Sequence, residues 1–181
     1  MGRPLVGLFV AAALAGPVAA SDAPYAGQQT RGIAALSDAD IAAIEAGEGW
    51  GLALPAELNG WPGPAHVLEM ASDLALTEHQ HAVVTRIFGI MRDEARRVGA
   101  RYIETERALD AAFEDPSFDP VTLAGLTAAS ANALGELRTI HLAAHIETRQ
   151  VLNRHQIMTY NTLRGYAGDG AHGGHSSHGA Q

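Results

Sequence analysis

The sequence predicts an all-α protein: a hairpin of two long antiparallel helices, flanked by short helices. Two observations carry this. Apolar residues recur at three- and four-residue steps through two long stretches, the pattern of a helix with one buried face. Stretches that open on a helix-capping pattern stand at both ends of the hairpin, and nothing in the chain alternates like a strand.

Residues 1–20 have the make-up of a secretory signal peptide. Arg3 supplies the positive end, Leu5 to Leu14 an apolar run too short to span a bilayer, and Val18 and Ala20 the small residues of a cleavage site. The expected mature chain starts at Ser21 and is periplasmic. It holds 11 Arg against 20 acidic residues, a net charge of −9. That balance argues against nucleic acid as a partner. Cysteine is absent, which excludes disulfides, thiolate zinc sites, iron–sulfur clusters and covalent haem.

Residues 21–63 form an acidic segment rich in Gly and Pro. One short helix is expected over Ser37–Ala46, capped by Ser37 and stopped by Gly47. Gly47 to Pro64, with Trp50 and Trp61, is expected to be a loop lying against the body, because Leu52, Leu54 and the two Trp would otherwise stay wet.

Residues 64–166 are expected to be the helical domain. A short helix covers His66 to Leu74. Thr77 and Gln80 then make a capping box, in which each side chain bonds the other's backbone amide. The long helix that follows carries the stripe Val84, Ile87, Met91, Ala95, Val98, Tyr102, Leu109 and Phe113, and Asp115-Pro116 ends it. Asp119-Pro120 starts the second long helix, whose stripe runs from Leu123 through Leu137 and Ala144 to Val151. Asn153 and Gln156 repeat the box before a last helix that stops at Gly165. Residues 167–181 are rich in His and Gly and are expected to form a flexible tail.

The boxes Leu76-Thr77-x-x-Gln80 and Leu152-Asn153-x-x-Gln156 resemble the paired LTxxQ motifs of the Spy/CpxP family of periplasmic proteins. That family has a heavy-metal sensor and zinc-resistance-associated branch. The resemblance covers roughly Pro64 to Tyr166. It implies a hooked helical protomer, commonly a homodimer, that acts without ATP. Such proteins hold unfolded clients, or bind metal and report stress to a membrane-bound signalling partner. The second box has Asn where the family usually has Thr, and the mature chain is acidic where client-holding members present a basic face.

Nine histidines invite a metal reading, with zinc, copper or nickel as the expected cofactor. His141 and His145 stand four apart, in line with Leu134, Leu137 and Leu152, so they face the bundle as a ligand pair or as hydrogen-bonded core residues. His66 and Met70 are also four apart, with Met70 as soft ligand or core filler. His172, His175 and His178, set in Gly and Ser, make a metal-capturing tract. Glu78 and His81 form a lone E-x-x-H pair, and a di-iron bundle needs two. Arg92, Arg96, Arg97 and Arg101 are either a solvated face or a strip for acidic or unfolded clients. A noncovalent haem held by Met70 with His141 or His145 is a further possibility. With no nucleophile elbow, phosphate loop or triad spacing, the expectation is a non-enzymatic metal-sensing or buffering protein, with a client-holding chaperone as the alternative.

Overall fold

The computed structural model of the protein describes residues 24–166. The expected signal peptide over residues 1–20 and His172, His175 and His178 lie outside the described residues. Residues 24–30 belong to a unit of their own, a turn followed by the single 3-10 turn Gln28–Thr30. The unit that begins at Arg31 holds six helices: α1 (Asp38–Ala46), α2 (Leu54–Glu57), α3 (Pro64–Glu69), α4 (Glu78–Ala112), α5 (Pro120–Val151) and α6 (Arg154–Leu163). Among the described residues there is no strand, so the expected all-α class holds.

The long helices form the hairpin. Gln80 contacts Val151, Arg101 contacts Glu136 and Glu106 contacts Ser130, so pairing runs in opposite senses along the two. Two differences from expectation are local. One helical turn, α2, interrupts the segment read as loop, with Pro55 at a position where a missing N–H costs nothing. The short helix before the first box stops at Glu69 rather than at Leu74. Residues after Met70 turn instead, and Ala75 takes a left-handed φ of 47°.

Local chemistry explains the element starts. Ser37, Thr77 and Asn153 each accept the amide of the residue three positions on, and Asp40, Gln80 and Gln156 each return a bond to the cap amide. Three capping boxes are therefore present. Asp119 accepts from the Val121 and Thr122 amides and opens α5.

The boxes also meet in space. Gln80 Nε2 donates to Gln156 Oε1 at 2.9 Å, and Gln156 Nε2 donates to Gln80 Oε1 at 3.0 Å. The same two amides reach the Val151 carbonyl at 2.9 Å and the Leu74 carbonyl at 3.2 Å. Both carbonyls sit where a helix or turn has run out of internal donors. The glutamines thus clasp the open end of the hairpin.

The buried core has two main parts. In one, Ile33, Leu36, Ile44 and Leu52 from the segment before the hairpin pack on Ala95, Val98, Tyr102, Ala133 and Leu137. Side chains of this size gain roughly 1.5–3 kcal/mol each on full burial. Gly99 lets α1 approach: a Cβ there would stand 2.5 Å from Ile44 Cγ2. In the other, Val67, Leu74, Val84, Leu152 and Tyr160 close the box end. The hairpin tip has no such cover. Phe113 is 68% and Val121 82% exposed, and Phe113 packs edge-on only against Phe118, with ring centres 5.0 Å apart.

Candidate functional site

A cleft of about 600 Å³ opens between the Gly47–Leu54 loop, the start of α3, and the facing sides of α4 and α5. Its position follows from the fold. The loop rides over α4 because Gly47 ends α1 with φ 71° and sits so close to Arg92 that a Cβ would lie 2.7 Å from the Arg92 carbonyl oxygen. Trp50 is held in a left-handed conformation, φ 41°, by its indole N–H donating to Asp40 Oδ1 at 2.8 Å and by its ring leaning on Tyr102. The Asp40 carboxyl is lowered to about 2, chiefly by the Ser37 hydroxyl, then by the Trp50 indole and the Ser37 amide.

Three histidines from two helices border this cleft: His66 from α3, and His141 and His145 from α5. His145 is buried, and its Nδ1 lies 2.8 Å from the Trp61 carbonyl oxygen. A carbonyl can only accept, so Nδ1 carries a hydrogen and donates it there, and Nε2 is left to face elsewhere. His66 is arranged alike, with Nδ1 3.0 Å from the Glu69 carboxylate. An oxygen behind Nδ1 that leaves Nε2 free is how ligating histidines are commonly oriented. His141 is 2% exposed, and its Nε2 has no hydrogen-bond partner. Burial, and then the nearby His145, push its pKa below the ordinary imidazole value, so it is neutral at pH 7.

Glu57 ties these groups together. It accepts from the Tyr160 hydroxyl at 3.0 and 3.2 Å, and its Oε1 lies 3.7 Å from His66 Nε2. The two ring nitrogens of His66 thus lie between two carboxylates, those of Glu69 and Glu57. The Tyr160 hydroxyl in turn accepts from the Gly63 amide at 3.3 Å, and burial holds its pKa well above the usual phenol value. Gly63 leaves the space: a Cβ there would lie 3.0 Å from both His145 Nε2 and Glu57 Oε1. Trp61 is covered by the Arg149 guanidinium, 4.4 Å above its ring.

The sequence-predicted residues sort clearly. His66, His141 and His145 come to one cleft, while Met70 packs with the Val67 and Leu74 cluster and does not border it. Met91 does, and sequence periodicity had marked it only as core. Among the described residues, no three His, Asp or Glu side chains stand grouped as a ready-made metal site. The arginine strip divides. Arg97 and Arg101 pair with Glu94 and Glu136, whereas Arg92 and Arg96 border the cleft and have no carboxylate partner among the described residues. Glu57 and Gly63 were missed. Both lie in the Gly/Pro-rich stretch, where no periodicity marks a buried position. Glu78 and His81 are exposed and lie away from the cleft. Comparison with family models, curated proteins and solved structures finds no match to the chain.

Proposed function

We propose that the protein is an exported, non-enzymatic protein of the Spy/CpxP type that binds a transition metal at this cleft and senses or buffers it. One observation carries the reading: His66 and His145 hold Nδ1 on an oxygen and present Nε2 to the same cleft that the buried, unpartnered His141 borders. Imidazoles with a nearby carboxylate suit zinc, copper or nickel rather than magnesium or calcium. His66, 34% exposed in its side chain and with Nε2 3.7 Å from Glu57 Oε1, is the ligand that completes the set around His145, Glu57 and His141. The tail histidines His172, His175 and His178 add a weaker site, because ordering a Gly-rich chain costs entropy. The protomer works as a homodimer, with the exposed hairpin tip as the surface that needs a partner.

Calorimetric titration of zinc, copper and nickel into the mature protein tests this. A His141→Ala, His145→Ala double variant is expected to lose the tight phase and keep the weak one. Retention of the tight phase would make the pair structural and favour client holding, for which Arg92, Arg96 and the apolar tip are the available surface.

A further inference from the structure

The cleft has two differently built ends. At one, Gly63 stands against Glu57 and His145, and His66 faces Glu57. At the other, Gly47 stands against two arginines: a Cβ there would lie 3.0 Å from Arg92 Cγ and 3.1 Å from Arg96 Cγ. Arg92 and Arg96 are four apart on α4, so they share a face. Each is held in place. Arg96 Nε donates to the Ala46 carbonyl at 3.1 Å, and the Arg92 guanidinium lies over the Phe88 ring, 5.3 Å from its centre. Among the described residues their other N–H groups make no hydrogen bond and neither arginine forms an ion pair, Glu48 at the same cleft included. The third guanidinium of the cleft, Arg164, is instead turned to the Tyr166 hydroxyl at 3.0 Å and to Glu57 at 3.8 Å. Beside the free pair lies apolar surface. Trp50 is fixed by Asp40 and Tyr102, Met91 borders the space, and Leu54 is 52% exposed at its edge. The volume, about 600 Å³, falls in the ~300–1,000 Å³ range of small-molecule sites, so the histidine end does not use it up.

We propose that the Arg92–Arg96 end of the cleft binds a small organic carboxylate with an aromatic body. The carboxylate accepts from the two guanidiniums, and the ring covers Trp50, Met91 and Leu54. Guanidinium forks match a carboxylate in geometry and charge. They stand as a positive spot in a chain whose net charge is −8, so the field there selects an anion against its surroundings. Neither half of the site is enough alone. An exposed ion pair is worth little in water, and a bare ring on the loop has nothing to orient it. Together they give both anchor and buried area. The ligand leaves His66, His141, His145 and Glu57 to the metal, and its binding does not depend on the metal reading.

The test is calorimetric titration of 2-naphthoate into the mature protein, with and without zinc. The expected result is one naphthoate per chain. In a Trp61→Phe background, where Trp50 is the remaining tryptophan, binding should also change the indole fluorescence. Arg92→Gln with Arg96→Gln should weaken naphthoate about tenfold or more. The melting temperature of that variant should stay nearly unchanged, since both side chains are exposed. The neutral analogue 2-naphthylmethanol should bind the parent protein no better than naphthoate binds the double variant. Equal binding of the acid and the alcohol overturns the proposal, as does naphthoate binding that the arginine changes leave intact. An oligo-glutamate peptide that binds through the same arginines while naphthoate does not also overturns it, and assigns the pair to acidic clients. Loss of naphthoate binding with zinc binding intact defeats this proposal alone. Naphthoate binding in a protein that takes up no zinc upholds it and defeats the metal reading.

Discussion

Gly63 is the residue on which the site turns. Its φ of −88° suits any residue, so Gly63→Ala should fold. The added methyl would nonetheless sit 2.7 Å from His145 Cε1 and 3.0 Å from Glu57 Oε1, and one of them must move. Metal affinity should fall about tenfold, as when the groups orienting a ligand are disturbed. Titration of the variant beside a melting curve separates this from a loss of fold. His141 makes a second prediction. Its folded pKa lies below the unfolded value near ~6.5, so in that window the unfolded chain binds more protons. The stability it contributes is complete above about pH 6.5 and is lost as pH falls through that value. The groups around it are His145 on its own helix and, across the cleft, His66, Glu57, Arg92, Arg96 and Arg164. Urea unfolding at about pH 7.5 and about pH 5.5 should show a smaller drop in His141→Gln than in the parent protein. At this scale the sequence was half legible. Helical spacing put His141 and His145 on the inward face, and both are buried. The choice between Met70 and Met91 was not legible, because both stand at core-compatible steps and only the path of the loop shows which one borders open space.

The helices were legible almost throughout, because caps and periodicity are local. Ser37, Thr77, Asp119 and Asn153 start helices as their side chains require, and Gly47 and Gly165 end them with φ of 71° and 72°. What local chemistry could not reveal is that the two boxes touch. Gln80 and Gln156 are 76 positions apart, and each was expected to serve only its own helix. The pairing gives a graded prediction. Thr77→Ala removes one exposed cap acceptor and should cost about 1 kcal/mol. Gln156→Ala leaves the buried Leu74 carbonyl without its partner and also removes the bond to the Asn153 amide, and should cost more, about 2 kcal/mol. Urea midpoints of the two variants should fall in that order. Equal losses would mean that the clasp adds nothing beyond the caps.

Across the unit from Arg31 onward, the hairpin and the segment before it share one core, yet the hairpin tip is bare. The expected stripe ran to Phe113 on α4, but burial ends near Glu106, where its carboxylate accepts from Ser130. Periodicity shows which face of a helix is apolar and not how far a neighbour covers it. If the tip is a dimer contact, Phe113→Ser with Val121→Ser should leave the melting temperature of the protomer nearly unchanged, since both side chains are exposed. The pair should also shift sedimentation from dimer toward monomer. The central claim remains that the cleft histidines ligate through Nε2. The most direct measurement is imidazole nitrogen NMR of the mature protein during zinc titration. The account predicts that Nε2 of His141 and His145 shifts first, while Nδ1 of His145 keeps the proton it gives to the Trp61 carbonyl. A response confined to His172, His175 and His178, with the cleft histidines unmoved, would contradict it.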